Sequence, residues 1–143
     1  MKRVVLTYGT YDLFHVGHLR LLERARALGT KLVVGVSTDE FNAQKNKQSI
    51  IPFPHRREIV QALRCVDLAF PETTWDQKVA DIKKYDVDVF VMGDDWTGKF
   101  DFLQEHCEVV YLPRTEALSS TYLRAELDNE NRDMLTAIAT EYK

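Results

Sequence analysis

Five short apolar runs set into a sequence of amphipathic stretches confine this 143-residue chain to a small set of folds. The runs are Val4–Thr7, Leu32–Ser37, Leu68–Phe70, Val89–Met92 and Val109–Leu112. They have the lengths of strands, and three are rich in valine, as strands buried on both faces should be. Helical periodicity fills the intervals. Leu19, Leu22, Ala25 and Leu28 share one face of a first helix. Thr38 is placed to cap a short second helix through Ala43. Pro54 suits the start of a third over His55–Leu63. Thr74 is placed to cap a fourth, in which Val79 and Ile82 face the core. A short helix takes in Phe102 and Leu103, and Ser119 or Ser120 caps another through Leu127. Strands that alternate with helices in this way predict a parallel sheet with helices on both faces. Ligands in such sheets bind at the carboxyl ends of the strands.

The segment Tyr8-Gly9-Thr10-Tyr11-Asp12-Leu13-Phe14-His15-Val16-Gly17-His18 leaves the first of these strands and enters the first helix. A helix N-terminus offers unpaired N–H groups and positive dipole charge to an anion. Gly9 and Gly17 carry no Cβ, so backbone or ligand can approach there. Two histidines at this place suit phosphate handling, with imidazole donors aimed at charge that builds during transfer. A zinc pair with Asp12 as third ligand is the competing reading; a solvent-exposed capping histidine is the plain one. Neither accounts for the accompanying glycines and Thr10-Tyr11.

Two further segments follow predicted strands. Val91-Met92-Gly93-Asp94-Asp95-Trp96 suits nucleotide recognition, since a carboxylate can accept from an exocyclic base amine; its alternative is a turn with a core aromatic. Arg114-Thr115-Glu116-Ala117-Leu118-Ser119-Ser120-Thr121 ends in hydroxyls at another predicted helix start, where backbone N–H groups and side chains can surround phosphates. An ordinary capping segment is its alternative. Between the second and third strands, Asn42–Pro52 is polar and aperiodic, and carries Lys45 and Lys47. It is expected to be a mobile loop over the site. Of Arg56 and Arg57, one is expected at the surface. Asp39 could reach polyol hydroxyls or serve as a first-turn acid placed by the helix dipole.

The three motifs together resemble the cytidylyltransferases of the H-x-G-H nucleotidyltransferase superfamily. The likeness runs from Val4 to about Leu123. Ala117 stands where that family usually has Gly, and Ser120 where it often has Thr. The resemblance implies a single Rossmann-like α/β domain with a mostly parallel five-stranded sheet. It implies transfer of CMP from CTP to glycerol 3-phosphate, with Mg2+ carried by the triphosphate and no protein metal site. His15, His18, Lys45 and Arg114 are the implied catalytic residues. Gly9, Thr10, Tyr11, Asp12, Lys47, Asp95, Trp96, Arg114, Thr115, Ser119, Ser120 and Thr121 are expected on the nucleotide. Lys45, Arg64, Lys78 and Asp39 are expected on the acceptor. Spacing alone leaves Arg64 equally open to a surface ion pair, and Lys78 to a solvated helix lysine. Other small phosphate acceptors, adenylyl transfer and a non-catalytic nucleotide sensor remain the alternatives.

A net charge of −3 implies no general attraction to nucleic acid or membrane, so the cations for a polyphosphate must be concentrated locally. No apolar stretch has the length of a membrane span, and the start of the chain lacks a signal-type apolar region. A cytoplasmic protein is expected, with Cys65 and Cys107 as reduced core thiols. Residues 1–127 form the expected catalytic domain and 128–143 a helical tail using Met134, Leu135 and Ile138. The resemblance also implies a homodimer, for which Phe53, Phe70, Phe100 and Phe102 are candidate interface groups.

Overall fold

The computed structural model describes residues 2–113 and 125–129. All five expected strands are present, each one or two residues longer than the apolar run alone predicts. They are β1 (Val4–Gly9), β2 (Lys31–Ser37), β3 (Leu68–Glu72), β4 (Val89–Gly93) and β5 (Glu108–Leu112). They pair in the order β3-β2-β1-β4-β5, and every pairing is parallel. The additional residues include Gly9, Pro71, Glu72 and Gly93 and lie mainly at the carboxyl ends, where the valine-rich signal stops.

The helices are α1 (Val16–Arg26), α2 (Asp39–Gln44), α3 (Phe53–Ala62) and α4 (Gln77–Lys84), followed by 3₁₀ turns at Asp94–Trp96 and Asp101–Glu105. Alternate residues of β1 show why both sheet faces are covered. Val5 packs with Leu22 and Ala25 of α1 and Val60 of α3. Val4 and Leu6 pack with Ile82 of α4 and with Phe100 and Leu103 of the second 3₁₀ turn. All three β1 side chains are fully buried, so the strand shows no polar alternation.

Several local expectations need correction. Helix α1 begins three residues before Leu19, because His15 caps it. Helix α3 begins at Phe53 with Pro54 in its first turn. The residue ahead of α4 is Asp76, not Thr74; Gln77 instead draws in the Thr73 and Thr74 N–H groups through its side-chain oxygen. Cys65 and Cys107 are unpaired and half-buried on opposite sides of the sheet. Phe70 and Phe100 belong to the core and Phe53 packs against it, which leaves Phe102 exposed among the four proposed interface phenylalanines. Residues 125–129 are helical; the rest of the expected tail helix lies outside the described residues. No described helix is long and apolar enough to cross a membrane.

The chain builds β1, β2 and β3 toward one edge, then returns to place β4 on the other side of β1. The connections after β1 and β4 therefore diverge, opening a crevice at their carboxyl ends.

Candidate active site

Strand β1 hands over to α1 through residues 10–15. Tyr11 and Leu13 adopt left-handed backbone angles, φ 56° and 49°, which non-glycine residues hold only when their surroundings enforce it. The enforcement is aromatic. Tyr11 is buried with its ring edge-on to His18, centroids 5.6 Å apart, and Phe14 lies 5.2 Å from the same imidazole. A Cβ on Gly9 would stand 2.7 Å from the Tyr11 ring. The space at Gly9 is taken by the chain's own tyrosine.

His15 is the N-cap of α1, and its Nδ1 accepts the Gly17 N–H at 3.0 Å. His18 Nδ1 accepts the His15 N–H at 3.2 Å, and the two rings stack with centroids 4.0 Å apart. With each Nδ1 lone pair taken by a backbone donor, the neutral imidazoles carry their proton on Nε2. His15 Nε2 is buried without a partner among the described residues. Burial, reinforced by the neighbouring His15 and opposed by Asp12, pushes His18 down to about 4. Burial lowers His15 as well. Two uncharged Nε2–H donors therefore sit at a helix N-terminus, prepared for an anion rather than a cation.

Asp12 fastens a distant segment. Its two carboxylate oxygens accept the Ile50 and Ile51 N–H groups, each at 2.8 Å. Arg56 holds the same segment from the opposite side. It is 1 % exposed and donates to Ile51 O at 2.8 Å, to Thr10 O and Ser37 O at 2.7 Å, and to Asp39 Oδ1 at 2.8 Å. Asp39 Oδ2 also accepts the Phe53 N–H at 3.0 Å. That bond and the guanidinium hold its carboxyl below the usual range, against burial. Asp39 is thus a structural partner of Arg56. The expected mobile loop begins as part of α2, and is fastened further by Asn42 to Ser49 at 2.8 Å and Lys47 N–H to Asn42 O at 2.9 Å.

That fastening places Lys45. Its Nζ lies 4.2 Å from the Phe41 ring centroid, 5.4 Å from that of Trp75, and 3.4 Å from Ser37 Oγ. Burial lowers its affinity for a proton; Glu72 opposes this, while Lys47, Lys78 and Arg56 add to it. Lys47 is exposed beside it. Ser37 Oγ donates to Glu72 Oε1 at 2.9 Å, and Glu72 Oε2 accepts from Lys78 Nζ at 3.2 Å. Lys78 is therefore a buried ion-pair member and not a solvated helix lysine; its side chain is 3 % exposed and that of Glu72 5 %. Lys45, Ser37, Glu72 and Lys78 form one polar chain across the carboxyl ends of β2 and β3.

After β4, Asp94, Asp95 and Trp96 form the first 3₁₀ turn. Trp96 joins an aromatic layer, 6.0 Å from Trp75 and 5.4 Å from Phe100. Arg64 is not brought to this assembly. It is exposed in the turn between α3 and the start of β3, toward the amino end of the strand whose carboxyl end carries Glu72. Arg114, Thr115, Ser119, Ser120 and Thr121 lie outside the described residues. Sequence reasoning left out Arg56 as a buried brace, and omitted Ser37, Glu72 and Phe41. Ser37 and Glu72 carried a usable signal: each is the polar last residue of a strand in a sheet type that binds ligands at those ends.

The carboxyl ends of the strands thus carry paired neutral imidazoles at the α1 entrance and the Lys45–Ser37–Glu72–Lys78 chain at β2 and β3. The chain belongs to the cytidylyltransferase-like family, which matches residues 6–126. It is 57% identical over 127 residues to the glycerol-3-phosphate cytidylyltransferase of Bacillus subtilis (strain 168), covering 89% of this chain and 98% of that protein. To the enzyme of the same description from Staphylococcus aureus (strain NCTC 8325 / PS 47) it is 55% identical, covering 89% and 96%. The fold is also similar to that of a lipopolysaccharide core biosynthesis protein from Thermoplasma volcanium GSS1, with a TM-score of 0.69 at 20% identity, covering 82% of this chain and all of that one.

Proposed function

We propose that this protein transfers CMP from CTP to glycerol 3-phosphate, yielding CDP-glycerol and pyrophosphate. The observation that carries the chemistry is the pair of imidazoles whose Nδ1 atoms are both occupied by backbone N–H groups, leaving two Nε2–H donors at the α1 entrance. The choice of substrates rests on the likeness to the two bacterial glycerol-3-phosphate cytidylyltransferases.

The nucleophile is a phosphate oxygen of the acceptor. A phosphate monoester has its second pKa near about 6 and is largely dianionic at neutral pH, so no general base is required. That oxygen attacks the α-phosphorus of CTP in line. A new P–O bond forms, the bond to the β-bridging oxygen breaks, and its electron pair leaves with pyrophosphate. The enzyme's task is alignment and charge neutralisation. His15 and His18 donate to oxygens around the reacting phosphorus, where negative charge builds. Lys45 holds the acceptor phosphate opposite, with Lys47 on the triphosphate side. Magnesium would enter with the nucleotide substrate and offset the charge of its triphosphate. The product would supply glycerol phosphate units to teichoic-acid or capsule-type polymers.

Pyrophosphate release with CTP, ATP, UTP and GTP at equal concentration, each with glycerol 3-phosphate, tests the assignment. CTP should be preferred, and preference for ATP would overturn the cytidylyl reading. His15→Ala and His18→Ala should each lower kcat by roughly two to three orders of magnitude, the scale of losing one transition-state donor. Full activity in either variant would remove that residue from the mechanism, and absence of turnover in the wild type would leave a nucleotide sensor.

A further inference from the structure

The turn that follows β4 is oriented from the neighbouring strand. Asp94–Trp96 is a single 3₁₀ turn with no side-chain cap and no buried residue. The bonds of the loop behind it are local. Thr97 donates its N–H and its Oγ1 to Asp94 O, at 3.1 and 2.6 Å, and Lys99 donates its N–H to Trp96 O at 2.9 Å. Gly98 turns the chain back at φ 84°, a left-handed angle that suits glycine. Such bonds shape the loop without fixing it to the sheet. The Tyr111 hydroxyl supplies that link: it accepts the Phe100 N–H at 2.9 Å and donates to Asp101 Oδ1 at 2.9 Å.

Register places Tyr111 for this role. It pairs with Met92, and Leu112 pairs with Gly93, so its backbone fixes where β4 ends. Its side chain packs against the cluster that holds Phe90, Phe100 and Leu103, and its hydroxyl fixes where the loop returns. One residue thus holds both ends of the segment that carries Asp94, Asp95 and Trp96. Pro113 is held separately, its carbonyl accepting from Arg24 of α1 at 2.6 Å. The strand exit toward Arg114 therefore keeps an anchor of its own when the Tyr111 hydroxyl is removed.

We propose that Tyr111 is a positioning residue for the nucleotide: its hydroxyl closes the 94–101 loop onto β5 and so sets where Asp95 and Trp96 meet the nucleoside of CTP. The inference rests on the reading of this crevice as a cytidylyltransferase site. Strand β4 lies on the other side of β1 from β2 and β3, whose carboxyl ends carry the Lys45–Ser37–Glu72 contacts. The loop meets that acceptor wall at Trp75, whose ring is 6.0 Å from Trp96, and Trp75 keeps its own contact with Phe41 at 5.7 Å. Loosening the loop should therefore be felt by the nucleotide before the acceptor.

Tyr111→Phe removes the hydroxyl and keeps the ring in its packing. Loss of one hydrogen bond of ordinary net strength corresponds to roughly a five- to tenfold change in affinity. KM for CTP should rise by that factor, while kcat and KM for glycerol 3-phosphate stay within about twofold of wild type. Calorimetric titration with CTP alone should show the same weakening, and the Phe100 amide should exchange faster in the free protein. Asp101→Asn keeps an acceptor oxygen for the hydroxyl and should match wild type. Asp101→Ala removes one of the two bonds and should fall between wild type and Tyr111→Phe. A CTP KM in Tyr111→Phe within about twofold of wild type overturns the proposal. Equal rises in both KM values with a lowered Tm overturn it too, since they mark general loosening. A wild type that prefers another nucleoside triphosphate refutes the proposed function instead, and the KM split measured with that nucleotide still judges Tyr111; a wild type that binds none overturns both.

Discussion

Arg56 gives the sharpest test of how the site is held together. Its side chain is wholly buried, and its three nitrogens reach four chain segments: Thr10 after β1, Ser37 at the end of β2, Asp39 at the start of α2, and Ile51 in the connection to α3. Removing the guanidinium leaves three backbone carbonyls short of a donor. A buried polar group left unsatisfied costs about 1–3 kcal/mol. The Asp39 side chain is 46 % exposed, so water can replace its partner and the loss there is small. Partial rescue of the carbonyls by water and by their second lone pairs favours the lower half of the range. The expected destabilisation for Arg56→Met is therefore about 3–5 kcal/mol, in line with breaking other buried charged pairs. For a chain of this length that is a fall in Tm of roughly 10–15 °C.

Arg56→Lys separates geometry from charge. Lysine keeps the positive charge but presents its donors from one atom, which cannot span segments that the planar fork reaches in different directions. It should lose more than half of what Arg56→Met loses. Urea and thermal denaturation followed by circular dichroism measure both variants. An Arg56→Lys protein within about 0.5 kcal/mol of wild type, the scale of an ordinary surface substitution, would show that charge alone suffices and that the multi-segment brace is not what holds the loop.

Two further outcomes follow from the same contacts. His18 is depressed to about 4 in the folded protein and titrates near 6.5 when unfolded; the unfolded state therefore holds more protons between these values, and the His18 contribution is complete above about pH 6.5 and lost as pH falls toward 4. His18→Gln should flatten that part of the stability profile, and superimposable profiles would contradict a neutral buried imidazole. The Ile50 and Ile51 amides, bonded to Asp12, should exchange slowly with solvent before any ligand is added, and Asp12→Ala should release both; exchange at exposed-loop rates in the wild type would restore the mobile-loop expectation.

The sheet was legible because its signal is redundant. A central strand such as β1 is apolar at Val4, Val5 and Leu6 whichever face each residue meets, so no register has to be known to recognise it. The histidines were legible because their position between a strand and a helix carries physical meaning by itself. What stayed hidden is where one residue serves a distant segment. Asp12 sits inside the motif, and its carboxylate accepts amides 38 and 39 positions away. Of Arg56 and Arg57 one is expected at the surface, and Arg57 is exposed; what the sequence does not show is that Thr10, Ser37 and Ile51 close around Arg56. Local periodicity contains no term for such contacts.

Lys78 shows how far that gap reaches into function. Read along α4 it is a polar residue on a short helix of mixed charge; read across the sheet it is the centre of three rings and a carboxylate contributed by β1, β3, the β3–α4 connection and the second 3₁₀ turn's N-cap. Its charge is balanced by Glu72 before any substrate arrives, which leaves Lys45 as the cation whose burial and neighbours favour gaining an anion. The two lysines therefore stand on one polar chain but meet a substrate from different starting points: Lys78 is already paired with Glu72 at 3.2 Å, while Lys45 has the Ser37 hydroxyl at 3.4 Å.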